Sequence, residues 1–282
     1  MRRLKIAGML VAATAVAALL SAGCNGTSAV APMKPTLKPP AIGKAGILRA
    51  AIDLSYPPFA GTDKGKQAGL DIDVASAVAE RLGLKLQIVD ARMDDAAAML
   101  RDGKVDVALA GIRIDQAVQA DVAFAGPYIS DAPAIFATTE STQTMRSIAG
   151  SRIAGQQGSP AYWLLADEYG DDTVATFPTL VEAFAATEAG QADYAVGDGV
   201  VGLYMLRQHP KLRLVGQLTP AMPVGVAVGK QSLELERAVR DALDKLSSSG
   251  VLETLRRKWL GDAPRFAGSS DASASAETTV AP

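Results

Sequence analysis

Apolar and polar residues change their spacing repeatedly along this chain, and each change marks an element. The run from Leu48 to Asp53 predicts a strand, and the Tyr56-Pro57-Pro58 turn after it cannot be helical at its centre. Asp71 and Asp73 stand where a helix would start, their charge suits its positive end, and Gly83 ends it after Leu82. Leu84, Leu86 and Ile88 alternate with Lys85 and Gln87, the period of a half-buried strand. Asp94-Asp95 opens a short helix that stops at Gly103, and Val105 to Ala110 reads as a buried strand. This β-α-β-α-β order implies a parallel sheet flanked by helices.

A second unit repeats the pattern. Arg152 to Ala154 is a strand, Gly155 to Ser159 a loop, and Pro160 takes the first position of a helix. Thr179 with Glu182 three residues on makes a capping box for a helix that ends at Gly190. Asp193 to Val196 is a strand, Val200 to Gln208 a helix and Val224 to Val228 a strand. Ser232 to Ser247 is amphipathic, with Leu235, Val239, Ala242, Leu243 and Leu246 on one face, and a last helix runs from Val251 to Leu260.

The first residues add a compartment. Arg2, Arg3 and Lys5, an apolar run from Ile6 to Leu20 and the small residues Ser21-Ala22-Gly23 have the three parts of an export signal. The apolar run is shorter than the roughly 20 residues that span a bilayer. Leu20-Ser21-Ala22-Gly23-Cys24 resembles a bacterial lipobox, although Ser21 stands where Leu is usual. Cys24 is the only cysteine, so no intrachain disulfide can form and lipidation would consume the lone thiol. Asn25 to Lys44 is rich in Pro, Ser, Thr and Ala, and Ala267 to Pro282 in Ser, Ala and Thr; both are expected to be disordered.

Lys and Arg total 28 against 30 Asp and Glu, with both signs scattered, so no basic stripe exists to follow a phosphate backbone and nucleic acid is not an expected partner. The chain has no His-Glu-x-x-His helix, Cys cluster, Gly-x-Ser-x-Gly elbow or phosphate loop, which argues against metal, cofactor and serine-hydrolase chemistry. The single histidine, His209, precedes Pro210 and is expected at the surface.

Several separated motifs then occur in a telling order: Tyr56-Pro57-Pro58-Phe59, Gly69-Leu70-Asp71-Ile72-Asp73-Val74-Ala75, Gly103-Lys104-Val105-Asp106, Phe124-Ala125-Gly126-Pro127-Tyr128 and Lys258-Trp259-Leu260. Together they resemble the extracellular solute-binding proteins of family 3, the polar amino acid receptors of ABC importers. The resemblance implies a two-lobed α/β fold of the periplasmic-binding-protein type 2. Its expected organisation is a signal peptide over 1–23, a tether over 24–44, a first lobe from 45–133 plus 224–262, a second lobe over 134–223 and a disordered tail over 263–282. The chain would cross between lobes near Ser130 to Ala134 and Met222 to Val226. The implied partners are a small polar solute, a permease with its ATPase, and a membrane reached through lipid on Cys24, with the receptor a monomer outside the cytoplasm.

In such a fold the ligand lies between the carboxyl ends of the strands. Matching motif by motif, the first lobe should supply Asp53, Tyr56, Met93, Ala110, Gly111 and Arg113, and the second Gln156, Gly158, Ser159 and Asp198. Tyr56 offers a flat face, Gly111 lets the backbone approach, and Asp198 would take a ligand ammonium; a helix cap is the alternative role for Asp198. Met93 replaces a frequent aromatic. Val118 stands where the family usually has the Arg that grips an α-carboxylate, leaving Arg113 as the substitute unless it faces solvent or pairs with Asp115 or Asp121. Two rival functions share the fold: a periplasmic dehydratase resembling cyclohexadienyl dehydratase, using a cleft carboxyl as its acid or base, and a receptor that signals to a membrane protein.

Overall fold

The computed structural model describes residues 34–115 and 122–268, so the stretch expected to be an export signal, Cys24, Val118 and Asp121 lie outside the described residues. Two mixed sheets, each flanked by helices, make up the molecule. The first is ordered β4(Lys85–Asp90), β1(Ile47–Ile52), β5(Val107–Leu109), β13(Met222–Val228), β6(Ala123–Asp131). β1 runs parallel to β4 and β5, as the β-α-β order requires, with α1(Leu70–Arg81) and α2(Met93–Arg101) as crossovers. β13 returns from the other half of the chain and enters antiparallel to β5 and β6, which makes the sheet mixed.

The second sheet is ordered β10(Val174–Phe177), β9(Ile153–Gln156), β11(Tyr194–Asp198), β7(Pro133–Ala137), β12(Arg213–Gln217), β8(Gln143–Thr144). Its helices are α3(Pro160–Tyr169), α4(Leu180–Glu188) and α5(Gly199–Met205). β9 is parallel to β10 and β11, while β7 is antiparallel to β11 and β12. Only Ala132 separates β6 of one sheet from β7 of the other, and Met222 of the returning strand pairs with Asp131. A small hairpin, β2(Gly61–Asp63) with β3(Lys66–Ala68), stands apart.

The capping box is formed: Thr179 Oγ1 accepts from the Glu182 N–H at 3.2 Å, and the Glu182 carboxylate accepts from the Thr179 N–H at 3.3 Å. In α6(Leu233–Ser248) the five apolar residues of one face are buried as their spacing predicts. The final helix α7(Val251–Leu260) is held to α1 by Asp73, whose Oδ2 accepts from Trp259 Nε1 at 2.6 Å and Lys258 Nζ at 2.7 Å. His209 is not at the surface: it is buried, bonded through Nδ1 to Glu188 at 3.0 Å, and set edge-on against Phe184.

One ion-pair geometry occurs twice, once on each sheet. Arg49 at the head of β1 donates through its backbone and guanidinium to Asp106, while Arg152 beside β9 does the same to Asp193. Each acid closes a Gly-x-x-Asp turn into the next parallel strand, Gly103 to Asp106 and Gly190 to Asp193.

Both expected disordered flanks are partly laid down on the body. Leu37 and Ile42 are buried, the Thr36 N–H donates to Leu82 O at 3.1 Å, and the Gly43 N–H donates to Asp106 Oδ1 at 2.8 Å. Their polar neighbours conceal two well-spaced apolar anchors, which composition averages away. After α7, residues 263–268 form a strap that reaches the turn between β12 and β13. There the Ala221 N–H donates to Ala267 O at 2.8 Å, and Gln217 bonds both backbone groups of Ala267. Phe266 on this strap packs over Gly199, where an added Cβ would lie 2.3 Å from the Phe266 ring and 2.5 Å from Ala132 O, so only glycine fits. Truncating a buried aromatic costs about 3 kcal/mol, which for a chain of this size is roughly 6–12 °C. Phe266→Ala should lower the melting temperature by that amount; an unchanged melting curve would mean that the strap lies outside the cooperative unit.

Candidate functional site

The parallel strands of both sheets point their carboxyl ends at one cleft of about 560 Å³. Asp53 follows β1, Ala110 to Arg113 follow β5, Gln156 ends β9 and Asp198 ends β11, so strand direction alone brings these distant residues together. Of the ten residues expected, nine line the cleft: Asp53, Tyr56, Ala110, Gly111, Arg113, Gln156, Gly158, Ser159 and Asp198. Met93 opens α2, where its neighbours Arg92 and Asp94 line the cleft; its own side chain lies outside what the structure describes. Ile112, Gln157, Leu180, Gly197 and Val201 also contribute; no motif singled them out.

Local geometry fixes what each can offer. Asp53 Oδ1 accepts from the Ser55 N–H at 2.9 Å, which folds the chain into the Tyr-Pro-Pro turn and presents Tyr56. Tyr56 stacks on Phe59 with ring centroids 5.2 Å apart, and both rings lie against Gly111. Gly111 has φ of 63°, a left-handed conformation that, with the rings so close, excludes side chains. Ser159 caps α3 by accepting from the Tyr162 N–H at 3.2 Å, so its hydroxyl oxygen is already engaged.

Asp198 is the helix cap weighed for it, and it also lines the cleft. Its Oδ1 caps α5, accepting from the Val201 N–H at 2.9 Å, while Oδ2 faces the cleft and accepts from Arg113 Nη2 at 3.2 Å and Tyr56 OH at 3.4 Å. Arg113 also donates through Nη2 to Asp131 Oδ2 at 2.9 Å. Burial alone would weaken its hold on its proton, but the bond to Asp131 and the charges of Asp131 and Asp198 outweigh that, so it stays cationic.

Asp131, which the sequence reading missed, is 2% exposed and lies in the strand that crosses between the sheets. Its Oδ1 accepts from the Val200 N–H at 3.0 Å. Its one signal was an acid inside a long apolar run, Ala123 to Ala137. Burial, and then the neighbouring charge of Asp131, pushes the Asp198 carboxyl up to about 8, against the Val201 N–H and Arg113. Asp198 keeps 18% exposure, so water moderates the effect.

Below the cleft floor lies a second buried acid. Asp71 stands in the first turn of α1 as expected, but it is fully buried, accepting from the Gly111 N–H at 3.2 Å and bonding Tyr128 OH at 2.5 Å. Burial raises its pKa to about 7, with Tyr128 and Gly111 working the other way. Among the described residues no cluster of His, Cys, Asp and Glu could hold a metal ion, and no helix is long and apolar enough to cross a membrane.

Two mixed sheets with a polar cleft at their carboxyl ends define a periplasmic-binding-protein fold. The chain belongs to the bacterial extracellular solute-binding proteins, family 3, whose sequence profile matches residues 48–262. It is 24% identical over 260 residues to the ABC transporter glutamine-binding protein GlnH of Bacillus subtilis (strain 168), spanning 90% of this chain and 95% of that protein. It is 28% identical over 228 residues to the cyclohexadienyl dehydratase of Pseudomonas aeruginosa PAO1, spanning 77% of this chain and 84% of the enzyme. In three dimensions it is similar to an ancestral cationic amino acid solute-binding protein, with a TM-score of 0.68 and 28% identity over 76% of this chain and 96% of the other.

Asp71 makes a testable link between this site and stability. Between the usual carboxyl value near 4 and about 7 the folded protein binds its proton more tightly than the unfolded chain does. Its contribution to stability therefore falls as pH rises through that window and is flat above it, by roughly 4 kcal/mol at most. Asp71→Asn, which mimics the neutral acid, should flatten this part of the profile and match or exceed the parent protein above neutrality in denaturant titrations. A variant that stays less stable across the whole range would show that Asp71 is held as a carboxylate.

Proposed function

We propose that this protein is an extracytoplasmic receptor that captures a small amine-bearing solute, an amino acid or a related cation, and delivers it to an ABC importer. The observation that carries the reading is Asp198, a carboxylate at a strand end, turned into a cleft of about 560 Å³ beside the face of Tyr56. A cation leaving water needs a charged partner, and an aromatic face next to that partner suits the apolar stem of an amine. Family membership supports the importer, and the B. subtilis relative is itself named for ABC transport. The receptor is proposed to work as a monomer, lipidated at Cys24 after removal of residues 1–23, with its lobes formed by 45–133 plus 224–262 and by 134–223.

The Pseudomonas relative and the raised carboxyl of Asp198 favour a second reading, a dehydratase with Asp198 as general acid. Turnover of prephenate by the purified chain would establish it, and its absence would leave the receptor.

A thermal-shift screen of the full chain after unfolding and refolding, with amino acids, diamines, betaines and dicarboxylates, tests the receptor. Ligand at a thousand times its dissociation constant adds about 4 kcal/mol, a shift plain in a melting curve. An amine-bearing hit is expected, and a response to dicarboxylates alone would refute the role of Asp198.

A cation at Asp198 favours the ionised form of its carboxyl, whose charged and titratable neighbours are Asp131, Arg113 and Tyr56. Binding should therefore release a proton and strengthen as pH rises through neutrality. Calorimetry in buffers of different ionisation enthalpy measures that proton, and Asp198→Asn should abolish it. Equal heats in all buffers for the parent protein would show that this carboxyl is already ionised.

A further inference from the structure

Arg113 is the cation best placed to receive an anionic group of a ligand, yet its guanidinium is already bonded to two acids of this chain. Asp131 holds it at 2.9 Å and Asp198 at 3.2 Å, on either side of the same Nη2. The arrangement is not a mobile surface contact. Asp131 is 2% exposed, sits on the strand that joins the sheets, and spends its other oxygen on the Val200 N–H. It therefore cannot swing away to release the guanidinium, and a ligand carboxylate approaching Arg113 would meet two carboxylates at the same place. The other lining charges lean the same way: Asp53, Asp94 and Asp115 against Arg92.

We infer that Asp131 sets the ligand class of this cleft: by fixing Arg113 as an internal counter-ion it removes the attraction for a ligand carboxylate, so the site selects organic cations whether or not they carry an acid group. The inference rests on the receptor reading above and narrows it. Asp131 acts through Arg113 and is a positioning residue. The chemical class it selects is a small alkylamine or guanidine in which the cation is required and the α-carboxylate contributes nothing.

The test compares each amino acid with the amine that lacks only its carboxylate: arginine with agmatine, ornithine with putrescine, lysine with cadaverine. Dissociation constants are measured by calorimetry on the full chain. In the parent protein each amine should bind at least as tightly as its amino acid. In Asp131→Asn the freed guanidinium should shift the amino acid to amine ratio by about tenfold or more towards the amino acid, the scale of one charge-assisted hydrogen bond. The double variant Asp131→Asn with Arg113→Gln removes both charges and should return the ratio towards the parent value. That separates released charge from damaged packing, and a melting curve on each variant checks that it folds.

A parent protein that prefers the amino acid of each pair by tenfold or more would overturn the inference, because Arg113 would then be serving the carboxylate. So would an unchanged ratio in Asp131→Asn. Binding of glutamine or another uncharged side chain with none of the six cations would also overturn it while leaving the receptor standing. Silence towards every solute in the screen would overturn both.

Discussion

A carboxylate taken out of water is costly unless a cation and hydrogen-bond donors meet its oxygens, and the cleft of this protein is arranged around the solution found for Asp131. Arg113 meets one oxygen and the Val200 N–H the other. One side chain thereby joins the crossing strand, the loop after β5 and the start of α5. Asp198 adds its own cap on α5 and its own bond to Arg113, so the first turn of that helix is a polar junction with little left to give a ligand through its backbone. What the cleft presents outward is the remaining face of Asp198, the Tyr56 ring and the side chains along the strand ends.

The second buried acid shows the same economy at a different depth. Asp71 supports Gly111 from below while Tyr56 and Phe59 cover it from above, so the cleft floor is a single backbone turn clamped between a carboxyl group and two rings. The positive φ of Gly111 and the buried acid beneath it are two sides of one requirement: backbone close to the ligand must still have its N–H satisfied.

Much of this was legible in the sequence because local signals and strand direction suffice for it. The apolar face of α6 and the capping box of α4 follow from local spacing, whereas the nine residues that line the cleft were named by the family resemblance, in keeping with the rule that ligands gather at carboxyl ends of parallel strands. What stayed hidden depends on partners far away in sequence. Asp131 is defined by residues 18 and 69 positions away, and Asp71 by Tyr128 at 57. The strands β7, β10 and β12 escaped notice because each pairs inside the second sheet without a strong alternation of its own. Residues 34–44 and 263–268 looked polar on average, and only the tertiary surface reveals that Leu37, Ile42 and Phe266 have somewhere to go.

The order of strands in the first sheet has a consequence for how the molecule comes into being. β13 lies between β5 and β6, yet it follows them by the whole length of the second sheet. As the chain emerges from the ribosome, the edges of β5 and β6 stay unpaired until nearly four-fifths of the residues have been made. The second sheet, continuous in sequence, can close on its own in that interval. An unpaired strand edge is a template for association with other chains, so the nascent protein passes a long stretch of its synthesis in a state that invites mispairing. The delay would also suit an exported chain, since a sheet that cannot finish early leaves its first half threadable.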